Sequence, residues 1–204
     1  MDSSSAHEAA AASSQATENQ PSNWNLPNIL TVLRIIGVPI FLWALLQEDG
    51  QSTSWRWWAF AIFSLLMATD KLDGHLARSR NLITNFGKIA DPIADKALMI
   101  AALVGLNLID VLPWWVTVII VVRELGITVW RMVLLRRGHV VPASKGGKLK
   151  TVLQSVAVAM FLAPLSWMFW PAWFVMALAI AVTVFTGVQY LLDSRATNSG
   201  APTS

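Results

Sequence analysis

The chain has 204 residues, of which 55% are hydrophobic and 13% are charged, and its formal net charge is +3. It contains 11 tryptophans and no cysteine. This composition differs from that of an ordinary soluble domain and is typical of a small polytopic membrane protein. The lack of cysteine excludes disulfide bonds, thiolate metal sites and a cysteine nucleophile.

Both ends of the sequence differ from its apolar centre. Residues 1–22 are mostly small and polar, with no lysine or arginine, and they predict a disordered tail. They lack the basic start and apolar centre of a secretory signal. Residues 194–204 are also polar and predict a second disordered tail. Residues 23–193 are predicted to form one membrane domain.

Six apolar stretches fill this domain, and each is close to or above the roughly 20 residues that a membrane-spanning helix needs. They cover residues 28–46, 56–78, 88–109, 113–137, 148–167 and 171–192. Tryptophans cluster at their ends, as in the aromatic belts at membrane interfaces. The sequence therefore predicts an all-α, polytopic membrane protein with six transmembrane helices.

Basic residues lie mainly on one side of this predicted bundle. In the turns of the other side, Arg56 is the only lysine or arginine. The basic side carries Arg78, Arg80, Lys88, Arg136, Arg137, Lys145, Lys148 and Lys150. The positive-inside rule places this side in the cytoplasm. With six spans, both termini are then cytoplasmic, and we expect a multi-pass protein of the cell membrane.

Four aspartates interrupt the second and third apolar stretches. Asp70 and Asp73 are three residues apart and share one helix face. Asp91 and Asp95 are four residues apart and share a face of the next helix. Each aspartate at membrane depth costs roughly 2.5–3.5 kcal/mol. We therefore predict that the four carboxylates surround a hard divalent cation, Mg²⁺, Mn²⁺ or Ca²⁺, in a cleft near the cytoplasmic surface.

Small residues and an arginine accompany the first acidic pair. Gly74 and Ala77 leave room for a ligand or a neighbouring helix to approach the backbone. Arg78 can hold a phosphate group through two hydrogen bonds. A metal, small residues and an arginine together suggest a nucleotide diphosphate as ligand.

Two alternative roles for the acidic residues remain open on spacing alone. Asp70 or Asp73 could pair with Lys71 or Arg78 only to hold helices together, because ions inside membranes commonly pair. Buried acids also form proton or cation pathways, so a divalent-cation or proton transporter is the alternative of a different class. A transporter favours acids near the membrane midplane, whereas these acids cluster toward one face.

A second basic group is predicted to bind an anionic substrate. Arg123 lies deep in the fourth apolar stretch, and Lys148 and Lys150 open the fifth. These three residues would suit an acceptor that carries a phosphate. Cytoplasmic bases also set topology and contact anionic lipids without any role in binding substrate. We favour that structural role for the neighbouring basic residues Arg136, Arg137 and Lys145.

The spacing of the acidic segment resembles a known family signature. It reads Asp70-x2-Asp73-Gly74-x2-Ala77-Arg78-x8-Gly87-x3-Asp91-x3-Asp95. This pattern is similar to the signature of the CDP-alcohol phosphotransferases. The resemblance implies a membrane enzyme that moves a phosphatidyl group from a CDP-linked lipid to an alcohol and releases CMP.

The resemblance also implies residue roles. The divalent metal, Mg²⁺ or Mn²⁺, would be bound by Asp70, Asp73, Asp91 and Asp95. The general base would be Asp95. The CDP-lipid would be held by Asp70, Asp73, Gly74, Arg78, Thr84 and Asp91. The charge and position of Arg123, Lys148 and Lys150, rather than the resemblance, assign the acceptor phosphate to these three residues.

Further segments resemble the bacterial phosphatidylglycerophosphate synthases. They are residues 25–34, residues 84–92, the Arg123-Glu124 pair and residues 147–151. This likeness implies a six-helix bundle, usually a homodimer, that joins sn-glycerol 3-phosphate to CDP-diacylglycerol. It also implies that membrane lipid surrounds the protein as a partner. No nucleic-acid partner is expected. Two alternative acceptors remain: inositol phosphate, and phosphatidylglycerol, which would make the protein a cardiolipin synthase.

Overall fold

A computed structural model describes residues 25–79, 84–136 and 145–198 of the chain. Within these ranges, the side chains that it leaves undescribed are those of Pro27, 70–79, 85–89, 145–148 and 195–198. The described residues form α-helices joined by short turns and contain no strand. The prediction of an all-α fold is confirmed for this part of the chain.

The six helices follow the six apolar stretches in order. They are α1 (Leu26–Leu45), α2 (Thr53–Ser79), α3 (Asn85–Leu108), α4 (Trp114–Arg136), α5 (Lys145–Leu162) and α6 (Phe169–Asn198). Helix α6 continues beyond the apolar stretch that ends at residue 192, because polar residues can extend a helix that hydropathy no longer marks. Helix α5 ends before residue 167 because Pro164 disfavours helical geometry at the residue before it.

Helix α1 begins at a side-chain cap. The Oδ1 atom of Asn25 accepts a hydrogen bond from the backbone N–H of Asn28 at 3.0 Å. Pro27 follows in the first turn, where its missing N–H costs little. An asparagine cap satisfies one of the backbone donors that every helix start leaves open. The cap thereby fixes the residue at which α1 begins.

Helix α1 packs against both α2 and α3, whereas α2 and α3 contact each other little in the described residues. Helices α5 and α6 form a second close pair, and α4 contacts α6 and α3. Phe41 of α1 and Phe63 of α2 meet in the core, with ring centroids 5.8 Å apart. Gly105 of α3 allows close approach to α1, since a Cβ atom there would lie 2.7 Å from Leu45 Cδ2.

The outer surface of the bundle is strongly apolar. Trp170, Phe174 and Phe185 of α6 are more than 70% exposed, and large apolar side chains are exposed on the other helices too. Within the described residues, two segments are long and apolar enough to cross a membrane, Asn28–Leu45 and Ser166–Ser194. This finding supports membrane crossing by α1 and α6. The six-span topology and the position of the termini stay predictions.

The turn between α3 and α4 is held by a buried asparagine. The Nδ2 atom of Asn107 donates to the carbonyl of Leu112 at 2.6 Å, and its Oδ1 atom accepts from Thr117 Oγ1 at 2.5 Å. Asp110 adopts a positive φ of 55° in this turn. One side chain therefore adds hydrogen bonds on both sides of a turn whose backbone also pairs within itself.

We expect Asn107→Ala to destabilise the protein by about 1–3 kcal/mol, because it leaves a buried carbonyl and a buried hydroxyl without their partner. The measurement is the apparent Tm of the protein in detergent. Leu108→Ala is the matched control, since Leu108 is 55% exposed. Equal Tm values for the two variants would contradict a structural role for Asn107.

Candidate active site

A row of polar contacts joins the first turns of α1 to α3 and to the residue that precedes α3. Each of its three contacts pairs one α1 side chain with one partner. Along α1 the polar side chains recur every three residues, so they share one face of the helix. We call this row the α1–α3 polar seam, and its members are Asn28, Thr31, Arg34, Thr84, Asp91 and Asp95.

The first contact of the seam buries Thr84. Asn28 Nδ2 donates to Thr84 Oγ1 at 2.8 Å, and the Thr84 hydroxyl lies 3.0 Å from Asn28 Oδ1. Both residues are buried, at 4% and 5% exposure respectively. Thr84, which the family resemblance assigns to the CDP-lipid, is thus fixed at the entry to α3 by the start of α1.

The other two contacts hold the aspartates of α3. Thr31 Oγ1 donates to Asp91 Oδ1 at 2.5 Å. Arg34 Nη1 donates to Asp95 Oδ1 at 2.8 Å. The side chain of Arg34 is 0% exposed, whereas that of Asp95 is 45% exposed. A buried guanidinium therefore positions a carboxylate that still reaches open space.

Both aspartates line a cavity of about 330 Å³. Among the described residues, its polar lining is formed by Asp91, Asp95, Lys96, Glu124, Thr151 and Gln154. Its apolar lining includes Met67, Met99, Ile100, Leu103, Ile120 and Val121. The cavity is amphipathic, so it suits a ligand with a charged part and an apolar part.

Carboxylate oxygens are the ligands that a hard divalent cation prefers, but the described residues contain no group of three or more His, Cys, Asp or Glu that could hold one by itself. Asp91 and Asp95 contribute oxygens from one face of α3. Met67 of α2 also lines the cavity, and Asp70 follows about one turn later on that helix. The first acidic pair therefore begins about one turn beyond a residue of α2 that lines the cavity. Gly74 and the side chains of Asp70, Asp73 and Arg78 lie outside the described side chains.

Arg123 and Lys150 of the predicted acceptor group meet at one carboxylate. Lys150 Nζ and Arg123 Nη1 both donate to Glu124 Oε1, the latter at 3.3 Å. Their side chains are 7% and 14% exposed, and that of Glu124 is 21% exposed. Glu124 lines the cavity, whereas Arg123 and Lys150 are absent from its described lining. The side chain of Lys148 lies outside the described residues.

Arg123 is also anchored to α6. Its Nε atom donates to the carbonyl of Thr183 at 3.1 Å, and its Nη2 atom donates to Thr186 Oγ1 at 2.9 Å. Gln154 of α5 donates to Thr183 Oγ1 at 2.9 Å. Gly187 makes room for the arginine, since a Cβ atom there would lie 3.3 Å from its Cγ atom. Arg123 thus holds α4 against α6 as well as facing Glu124.

Several polar residues near the cavity are not predicted from the sequence as members of a site. Thr31 and Arg34 belong to a segment that resembles the family, and a charge in the apolar α1 stretch is the signal for Arg34. Lys96 follows Asp95 directly, lines the cavity and donates to Thr128 Oγ1 of α4. Spacing along one helix does not reveal these contacts, because each joins two helices.

Comparison with known proteins identifies the family. Residues 24–185 match the family model described as CDP-alcohol phosphatidyltransferase. The chain belongs to this family. Its members generally depend on a divalent metal, which agrees with the carboxylates that line the cavity.

Similar proteins carry related names. A Mycobacterium tuberculosis protein named "Probable phosphatidylglycerophosphate synthase" is 52% identical over 168 residues, covering 82% of this chain and 80% of its own. A Bacillus subtilis protein named "CDP-diacylglycerol--glycerol-3-phosphate 3-phosphatidyltransferase" is 42% identical over 148 residues, covering 68% and 77%. A Streptomyces coelicolor protein named "Cardiolipin synthase (CMP-forming)" is 38% identical over 117 residues, covering 57% and 54%.

We expect Thr31→Val to weaken divalent-metal binding by about 10- to 100-fold, the usual effect of removing a group that orients a metal ligand. The reason is that valine keeps the shape of threonine but cannot donate to Asp91. Mn²⁺ binding to the purified protein, followed by electron paramagnetic resonance, measures this directly. Thr31→Ser keeps the hydroxyl and should bind Mn²⁺ nearly as the parent protein does. Unchanged binding in the valine variant would show that Asp91 needs no such support.

Proposed function

We propose that this chain transfers the phosphatidyl group of CDP-diacylglycerol to sn-glycerol 3-phosphate, giving phosphatidylglycerol phosphate and CMP. The observation that carries the proposal is the amphipathic cavity onto which Asp91 and Asp95 converge in a member of this family. A CDP-lipid has a diphosphate for the carboxylate and metal end and acyl chains for the apolar end. The names of the Mycobacterium tuberculosis and Bacillus subtilis proteins support glycerol 3-phosphate as acceptor.

The family resemblance and the cavity support one division of roles. Asp70, Asp73, Asp91 and Asp95 would hold Mg²⁺ or Mn²⁺, which supplies charge neutralisation at the diphosphate when it is bound. Gly74, Arg78 and Thr84 join three of these aspartates, Asp70, Asp73 and Asp91, in binding the CDP part. In this assignment Arg78 offers paired donors to a phosphate.

Asp95 is the proposed general base. Its carboxylate is 45% exposed at the cavity while Arg34 fixes one of its oxygens. A carboxylate so placed can take the proton of the acceptor hydroxyl. The hydroxyl oxygen then bonds to the phosphorus of the phosphatidyl group, and the bond between that phosphorus and the leaving oxygen of CMP breaks. The reaction needs no covalent enzyme intermediate.

The acceptor phosphate is proposed to bind Arg123, Lys148 and Lys150. The convergence of Arg123 and Lys150 on one carboxylate supports a shared anion site, because two cations held this close can share one doubly charged phosphate. Both residues stand on the α4 and α5 side of the cavity, across from the seam.

We further propose that all six helices span the cell membrane, with both termini and the active site at the cytoplasmic face, in a homodimer. The exposed apolar side chains of every helix support a lipid-facing surface. The helix ends opposite the seam carry the tryptophans expected of an interface, Trp43, Trp55, Trp57, Trp58, Trp114, Trp115, Trp167, Trp170 and Trp173. In the sequence, most basic residues lie near the opposite ends of the same helices.

CMP release by the purified protein tests the proposed reaction. We expect release from CDP-diacylglycerol with Mg²⁺ or Mn²⁺ when glycerol 3-phosphate is the acceptor. Inositol phosphate and phosphatidylglycerol are assayed in parallel, and neither is expected to replace it. Release with only one of these two would overturn the acceptor assignment, and no release with any acceptor would overturn the phosphatidyltransferase assignment.

We expect Asp95→Asn to lower kcat by about 10²- to 10⁴-fold, the usual contribution of a general base. The asparagine oxygen can still accept the hydrogen bond from Arg34, so binding of the CDP-lipid should survive. The matched control is Asp110→Asn, at the opposite end of the bundle, where asparagine tolerates the positive φ. Activity of the Asp95 variant near that of this control would exclude Asp95 as the base.

A further inference from the structure

Glu124 lies between the cavity and two buried cations. Its carboxylate lines the cavity, and the same Oε1 atom accepts hydrogen bonds from Lys150 and from Arg123. The cations themselves are absent from the described cavity lining, and their side chains are 7% and 14% exposed. An anion that enters the cavity therefore meets Glu124, and Lys96 that also lines it, before it reaches Arg123 or Lys150.

Arg123 has further partners that keep it in place without Glu124. It donates to Thr183 and Thr186 of α6, and Gly187 of the same helix gives it room. The Lys150 ammonium, in contrast, is held by its hydrogen bond to Glu124. Lys150 is therefore the cation whose pairing changes most if another anion takes the place of the glutamate.

Charge decides which ligands can replace this carboxylate. A phosphate monoester carries about −1.5 to −2 charges at pH 7 and offers three acceptor oxygens. A phosphodiester and a glutamate carry one negative charge each, and a neutral polyol carries none. Two buried cations attract a doubly charged group more strongly than a singly charged one. A phosphate monoester can thus displace Glu124 from Lys150. The electrostatic attraction of a diester or a neutral alcohol to the two cations is too weak to do so.

We propose that Glu124 is a specificity-determining residue that admits phosphate monoesters to the acceptor site and rejects phosphodiesters and uncharged alcohols. This inference rests on the proposed function, because it concerns the acceptor of that reaction. In the absence of acceptor, the Glu124 carboxylate pairs with the two cations, and it moves away from Lys150 when a dianion pairs with that residue. The unliganded protein also avoids an uncompensated buried charge, which would be costly.

Two substitutions at this position test the proposal by steady-state kinetics. Glu124→Gln keeps the shape and removes the charge, so the acceptor KM should fall by about two- to fivefold relative to the CDP-lipid KM, the size of one partly exposed ion pair. Glu124→Asp keeps the charge but reaches Lys150 less well, so its acceptor KM should fall less. Glu48→Gln, in the exposed turn between α1 and α2, is the matched control.

Discrimination between acceptors is the sharper readout. The parent protein should prefer glycerol 3-phosphate strongly over its methyl ester, a phosphodiester with the same free hydroxyls. In Glu124→Gln the ratio of the two kcat/KM values should fall, because a single negative charge then suffices. An acceptor KM that rises in both variants, with the preference unchanged, would overturn the proposal and leave Glu124 as a support that only orients Lys150.

A binding measurement separates this inference from the proposed reaction. Inorganic phosphate should raise the apparent Tm of Glu124→Gln more than that of the parent protein, since a ligand stabilises the state that binds it. Dimethyl phosphate, a monoanion, should stabilise the variant and not the parent. If no acceptor yields CMP but these Tm shifts appear, the proposed reaction is wrong while the proposed role of Glu124 in anion selection stands. If phosphate stabilises both proteins equally, the proposed role of Glu124 is overturned, whether or not the protein releases CMP.

Discussion

The structure depends on the pairing of buried polar side chains across the α1–α3 polar seam. Arg34 is fully buried, and an unpaired guanidinium in apolar surroundings would be strongly unfavourable. Its pairing with Asp95 therefore fixes how α1 lies against α3. A shift of one residue along α1 would also break the contact from Thr31 to Asp91. The same contacts thus fix both the register of the two helices and the placement of the two carboxylates.

This constraint explains how a largely apolar protein keeps charges beside a cavity. Close packing at Gly105 and the aromatic contact of Phe41 with Phe63 bring the helices together without polar groups. The seam adds direction, because hydrogen bonds form only in one alignment. On the opposite wall, Arg123 links α4 to α6 while Glu124 joins it to Lys150 of α5. The cavity therefore lies between an acidic wall braced by α1 and a wall whose cations are covered by a carboxylate.

Much of this organisation could be predicted from the sequence, and the reasons are specific. The apolar stretches located the helices, and the spacing of Asp91 and Asp95 placed them on one face of α3. Four carboxylates around one cation require α2 and α3 to lie near each other, yet α1 packs against both, and α2 and α3 contact each other little in the described residues. Periodicity along one helix shows which residues share a face but not which helix meets that face. The roles of Thr31 and Arg34, and the contact of Glu124 with Lys150, arise between helices, so the sequence alone did not reveal them.

The central claim is that the carboxylates braced by α1 form the divalent-metal site of a phosphatidyltransferase. Crystals of the protein grown with Mn²⁺ and CDP-diacylglycerol, measured at the manganese absorption edge, test it most directly. The claim predicts an anomalous peak within direct bonding distance of an Asp91 oxygen, about 2.0–2.2 Å for a small hard cation, and next to the diphosphate. A peak elsewhere in the bundle, with the Asp91 carboxylate still facing only Thr31, would contradict it.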